Sequence, residues 1–208
     1  MTDYCDFAPG HPLHGPYHDR EYGFPADDES VLFERLALEI NQAGLSWDLM
    51  LKKRANFQAA YEGFDVDRVA AYGADARARL LSDAGIIRNR LKVDAVIENA
   101  RRIQALRRSH GGFAAWLEAR HPRPKDDWVK LFKETFKFTG GEITGEFLMS
   151  IGYLPGAHPG GLSRAGAHRR PRAPVDAGVV IAERNPGRAG GQKYGKPTGW
   201  TCHRLDGS

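Results

Sequence analysis

Apolar residues in the first three quarters of this chain recur every three or four positions. Gly, Pro, or a Ser or Asp suited to capping interrupts them at helix-length intervals. The pattern holds to about residue 155, with no alternating run that has a convincing turn partner, and so predicts an all-α domain. A first helix should follow "DDES" (27–30) and stop at Gly44, and Ser46 should cap a second running to about Tyr61, with Gly63 beyond it. Asp65 can cap a short third. "ADARARLLSDAGIIRNRLKVDAVIENARRIQAL" reads as helix, tight turn and long helix, and "FAAWLEARH", "DDWVKLFKETFKF" and "GGEITGEFLMSIGYL" supply three more.

One acid does not suit its helix. Leu32, Leu36, Glu39 and Ala43 fall within about 60° of one another on a helical wheel, so Glu39 interrupts an apolar stripe. A carboxylate there is desolvated unless hydrogen bonds or a cation compensate it. Glu34 and Asp48, by contrast, read as solvent-facing charges. Tyr17, Tyr22 and Trp47 lie near the same helix in sequence, and aromatic faces around one carboxylate suit a flat cation. The plainer alternative is core aromatics with Glu39 paired to an Arg.

Two further groupings carry chemistry. In "DAGIIRNR" (83–90), Gly85 permits a sharp reversal, and the long helix opens near Arg88. Free N–H groups there attract a phosphate, with Arg88, Arg90 and Lys92 beside them, although an ordinary αα-hairpin has the same outline. Cys5, His18 and His158 are a possible zinc set if the chain ends meet, against the commoner case of a buried Cys and hydrogen-bonded His.

Composition bounds the rest. With 208 residues, 41% hydrophobic and 27% charged, the chain can bury one real core. No run of 18 apolar residues crosses a membrane, and the first thirty residues have no signal-peptide core. Two cysteines at opposite ends argue against a disulfide scaffold and for a reducing cytoplasm. The net charge of +4 is uneven: from Pro159 onward nine Lys/Arg face three Asp/Glu, whereas 21 face 23 before it. Residues 1–158 therefore read as the helical domain, and 159–208 as a disordered or loosely packed Gly/Pro/Arg-rich tail.

The stretches "YHDREYGFP" (17–25), "LFERLALEINQAGLSWDLMLKKR" (32–54), "DAGIIRNRLKVDAVIENA" (83–100) and "FKFTGGEI" (136–143) together resemble the 3-methyladenine DNA glycosylase I family. The resemblance implies a helix–hairpin–helix glycosylase fold and a monofunctional, monomeric repair enzyme. Such an enzyme hydrolyses the N-glycosidic bond of 3-methyladenine in alkylated double-stranded DNA. Glu39 matches the base-binding acid of the family, and Tyr17 and Trp47 match its aromatic contacts. Leu45 falls at a tip that wedges into the base stack, with Gly44 allowing close approach. Gly85, Ile86, Arg88, Arg90 and Lys92 form the DNA-facing hairpin. Tyr22 stands where Trp is expected, and His14 where Tyr is common. A non-catalytic binder of alkylated or abasic DNA, or a helical interaction protein, would keep the scaffold without the reaction.

The resemblance also implies a structural zinc held by Cys5, His18, His158 and a Cys in a C-terminal His-x₃-Cys-Pro ending. Position 162 is Leu here, followed by Ser163 and Arg164. Codons for Leu-Ser-Arg can give Cys-Pro when read one base later. A chain that leaves the ancestral frame just before Leu162 would explain both the missing ligand and the change in composition. Any zinc would then be held by three protein ligands plus water, or by a makeshift fourth such as His168 or Cys202.

Overall fold

Ten α-helices and one 3-10 turn follow one another along residues 4–158, the part of the chain that the computed structural model describes, with no strand among the described residues. They are α1 (Tyr4–Phe7), α2 (Gly15–Arg20), α3 (Glu29–Gln42), α4 (Trp47–Ala60), the 3-10 turn Glu62–Phe64, α5 (Val66–Ala70), α6 (Ala74–Ser82), α7 (Arg90–His110), α8 (Phe113–Glu118), α9 (Lys125–Thr135) and α10 (Gly141–Ser150). The all-α expectation is met. The composition of the tail, Leu162, His168, Cys202 and the frame reading all lie outside the described residues.

Side-chain caps explain why the helices start where they do. Asp28 accepts from Val31 N at 3.0 Å, Ser46 Oγ from Leu49 N at 3.2 Å, and Asp65 Oδ1 from Asp67 N and Arg68 N. The long helix α7 begins at Arg90, two residues later than the sequence suggests. Asn89 is its cap and accepts from Lys92 N at 3.2 Å. It ends at Gly111, whose φ of 83° lies in the left-handed region.

Ten of the fourteen residues of α3 are buried, so it has no solvent face of any width. It packs on α4, α7, α8 and α10. Glu34 is consequently buried too, against the solvent-facing reading of its sequence position. Arg54 of α4 reaches it at 2.7 Å and also grips both carboxylate oxygens of Glu21 at 2.7 Å. Burial pulls the Arg54 guanidinium toward deprotonation, but its bonds to Glu21 and Glu34 outweigh that and raise its pKa. Arg35 donates to Glu21 O at 2.9 Å and Ser150 O at 2.6 Å, tying α3 to both the N-terminal segment and α10. The remaining core is aromatic, with Phe113, Trp116, Trp128, Phe132, Phe136 and Phe147 in mutual ring contact. Each such side chain contributes roughly 1.5–3 kcal/mol by leaving water.

Candidate functional site

Helix α3 carries Glu39 into the interior, where the residue is 1% exposed. Tyr17 from α2 lies within reach of its charge, Tyr22 from the following turn and Trp47 from the first position of α4 lie against Tyr17, and His14, the N-terminal cap of α2, joins them through Tyr4, whose ring meets both His14 and Tyr22. All of these side chains are buried. The Tyr17 ring lies 5.0 Å from Trp47 at 52° and 5.8 Å from Tyr22 at 34°. Rings this close touch one another, so in this conformation no flat base fits between Tyr17 and Trp47. A base must use one ring's face or part the rings.

The electrostatics link these groups. Burial first, and then the charge of Glu39, hold the Tyr17 phenol well above its ordinary pKa, so the hydroxyl remains a donor beside a carboxylate. His14 sits between Tyr4, whose hydroxyl is 3.3 Å from Nδ1, and Asp48, whose Oδ1 is 3.5 Å from Nε2. Burial raises the Asp48 pKa, but the hydrogen bond and charge of Lys52, together with His14, outweigh that and leave it below the ordinary carboxylate value.

Beyond Glu39 the chain turns through Gly44, with φ at 78° and no atom within 4 Å of where a Cβ would stand. Leu45 follows in the turn between α3 and α4, an apolar side chain that is 36% exposed.

The hairpin residues divide. Arg88 and Arg90 are exposed at the start of α7. Ile86 is buried in the core, so its side chain is not on a DNA-facing surface. Gly85 is not at positive φ; it is small because a Cβ would stand 2.9 Å from Asp83 Oδ1 and 3.2 Å from Asn56 Cβ. Lys92 is the clearest correction. It is buried, and its Nζ donates to Asn41 O at 2.8 Å and Ala43 O at 2.6 Å, so it serves the end of α3 and not a phosphate. Its length and charge suit either task, and only the fold decides between them.

A second turn, between α9 and α10, is built for close approach, and its sequence alone suggests no role. Phe138 is 40% exposed at a φ of 61°, and α10 starts at Gly140–Gly141 without a side-chain cap. Lys133, Lys137 and Phe138 border a groove of about 470 Å³ there. The glycine pair after Thr139 is the one sequence signal for it.

The candidate metal residues do converge. The ligand atoms of Cys5, His18 and His158 all lie within 4.8 Å of one another, with Cys5 Sγ 3.4 Å from His18 Nε2 and 3.7 Å from His158 Nδ1. The other ring nitrogens are engaged, His18 Nδ1 with Asp19 Oδ1 at 2.7 Å and His158 Nε2 with Tyr22 O at 2.6 Å. Both imidazoles therefore turn a lone pair toward the sulfur, as metal-bound His does when its second nitrogen is held. Gly23 makes room: at φ 85°, a Cβ there would meet Ala157 Cβ at 2.7 Å and His158 Cδ2 at 3.0 Å.

Fold and site together define a protein, all-helical over its described residues, in which a buried carboxylate adjoins Tyr17 and the ring cluster that Tyr17 forms with Tyr22 and Trp47. The methyladenine glycosylase family profile matches residues 7–136, more than half of the 208-residue chain, and the chain belongs to that family. It is 48% identical over 97 residues to DNA-3-methyladenine glycosylase 1 of Escherichia coli K12, a match covering 47% of this chain and about half (52%) of that relative's length. A crystal structure of a 3-methyladenine DNA glycosylase I is 36% identical, with a TM-score of 0.65 over 71% of this chain and 92% of the other. A structure of the Staphylococcus aureus enzyme, concerned with its recognition of 3-methyladenine, is 28% identical, with a TM-score of 0.65 over 80% of this chain and 94% of that one.

Proposed function

We propose that this chain is a DNA glycosylase that excises 3-methyladenine from alkylated double-stranded DNA in base-excision repair, acting as a cytoplasmic monomer. The observation that carries the reading is Glu39, a deeply buried carboxylate beside the phenol of Tyr17, whose ring in turn lies against Tyr22 and Trp47. A purine methylated at N3 is cationic, and its glycosidic bond is already weakened. The enzyme's task is to take the extruded cation and refuse neutral adenine. Glu39 neutralises the base, and Tyr17, Trp47 and Tyr22 hold it, with His14 shaping the rim. The C1′–N9 bond breaks with its electron pair going to the base, which leaves as neutral 3-methyladenine. Water then bonds to C1′ of the oxocarbenium-like sugar and loses its proton to solvent. Lys92, the buried lysine near the site, is occupied by two carbonyls, so it is no Schiff-base nucleophile and strand cleavage should not follow.

On the DNA side, the Gly44–Leu45 tip enters the base stack while Arg88 and Arg90 meet phosphates at the start of α7. The backbone around Gly85 and Ile86 shapes that turn, and the open start of α10 supplies a second phosphate contact. Zinc, where present, is a structural tie between the chain's ends through Cys5, His18 and His158, and it requires Cys5 as thiolate. Donors on tetrahedral corners stand about 3.3–3.7 Å apart at ordinary zinc bond lengths. The two sulfur–nitrogen distances, 3.4 and 3.7 Å, fit that range. Zinc binding by reduced protein, and its absence from Cys5→Ser, tests this part.

The activity itself is tested by release of free base from methylated duplex DNA. Multiple-turnover release supports the glycosylase. Tight binding to alkylated or abasic duplex without release supports a binder, and neither result leaves only the scaffold.

A further inference from the structure

We propose that Lys92 is a positioning residue that clamps the Gly44–Leu45 tip to the start of α7, so that the phosphate-facing helix end and the apolar tip engage DNA as one piece. The proposal rests on the roles given above to the tip and the helix start. The last carbonyls of any helix lack partners within it. At the end of α3, three successive ones are accounted for. Asn41 O and Ala43 O accept from Lys92 Nζ at 2.8 and 2.6 Å, and Gln42 O accepts from Leu45 N at 2.7 Å. Gln42 Nε2 returns the bond to Leu45 O at 3.0 Å. The tip is thus fastened to the end of α3, and the end of α3 is fastened to α7.

The chemistry of the fastener is specific. An ammonium offers several donors from one point and carries the charge that a helix C-terminus attracts. Lys92 is buried, and its backbone is fixed by the Asn89 cap. Arg88 and Arg90, on the same helix start, remain exposed. A force on those two arginines is therefore transmitted through Lys92 to Asn41 and Ala43, just ahead of the tip. Glu39 lies in the same final turn of α3, so the clamp fixes tip and acid relative to each other.

Lys92→Met keeps the aliphatic stem and removes the donors. In DNA-free protein, exchange of the Leu45 amide should quicken at least tenfold. Single-turnover excision should fall at least tenfold, with affinity for undamaged duplex within twofold. A 2-aminopurine beside the lesion should report less unstacking. The deciding readout is a cycle with Leu45→Ala: once the tip side chain is gone, Lys92→Met should add less than twofold. Additive losses, or unchanged exchange at Leu45, overturn the clamp. Lys92→Arg should restore part of the rate, and Lys92→Gln carries the same cycle if the Met variant does not fold. Failure of the wild-type protein to release base would remove the glycosylase reading, and Leu45 exchange alone would then judge the clamp.

Discussion

Glu39→Gln separates activity from architecture, because it exchanges a charge for an amide of the same shape. The positive charge sits on the purine before the glycosidic bond breaks and on the sugar afterwards. A carboxylate is therefore stabilising throughout, and its loss should appear in kcat/KM. At 1% exposure, Glu39 acts in a desolvated setting. Removing one partner of a buried charge pair costs about 3–5 kcal/mol, which corresponds to roughly two to nearly four decades in kcat/KM. Base release from methylated duplex under multiple turnover measures it. Affinity for abasic duplex, set by the tip and the phosphate contacts, should stay within about twofold. Tm should move by no more than about 2–4 °C, the equivalent of about 1 kcal/mol in a chain of this size. The Tyr17 phenol offers an internal control. Burial is the first cause of its raised pKa and Glu39 the second, so the variant's Tyr17 should titrate lower than in the wild type while remaining raised. Parallel losses of Tm, abasic binding and excision would refute the reasoning and make Glu39 a structural acid.

Charge reversal at Arg88 or Arg90 should weaken binding to all duplexes alike and reduce the salt slope by about 0.9 for each phosphate no longer neutralised; a change confined to alkylated DNA would contradict the phosphate role. Trp47→Ala should cost base capture on the order of 1–3 kcal/mol and, because the ring is buried, lower stability by about 3–5 kcal/mol, so kinetics and melting curves must be read together. Asp48 has its folded-state pKa held below the ordinary 3.8, so the stability it adds is complete above that value and is lost as pH falls through the lower one. Asp48→Asn should therefore flatten the loss of Tm on acidification below about pH 4.

The long helices are legible in the sequence because their signals are local. Apolar spacing, the capping oxygens of Ser46 and Asp65, and the glycines beyond the ends all lie within a few residues of the feature they announce. The short helices α1 and α2 are not, because segments of four and six residues owe their form to tertiary packing. Tyr4, for example, meets His14, His18 and Tyr22 edge to face. Long polar side chains escape sequence reading for the same reason. The partner of Glu34 is Arg54, and the carbonyls that take Lys92 lie about fifty residues earlier. No local pattern records either. The grouping of Glu39 with Tyr17, Tyr22 and Trp47 is accessible only through the family resemblance, since sequence nearness alone leaves core packing equally open.

The bonds at Gly23 set an order of events during synthesis. Gly23 N donates to Ser150 O, His158 Nε2 bonds Tyr22 O, and Ala157 occupies the space that a side chain at position 23 would fill. The segment that carries two rings of the site is thus secured by the last described residues, more than 120 positions later. On a ribosome, helices α3 to α7 can assemble as they emerge, because their partners lie nearby in sequence. The segment carrying Tyr17 and Tyr22 lacks these anchors until residue 158 has left the exit tunnel. A nascent chain therefore holds those two rings without their C-terminal support for most of its translation, and that interval is when it is most open to aggregation or to capture by chaperones.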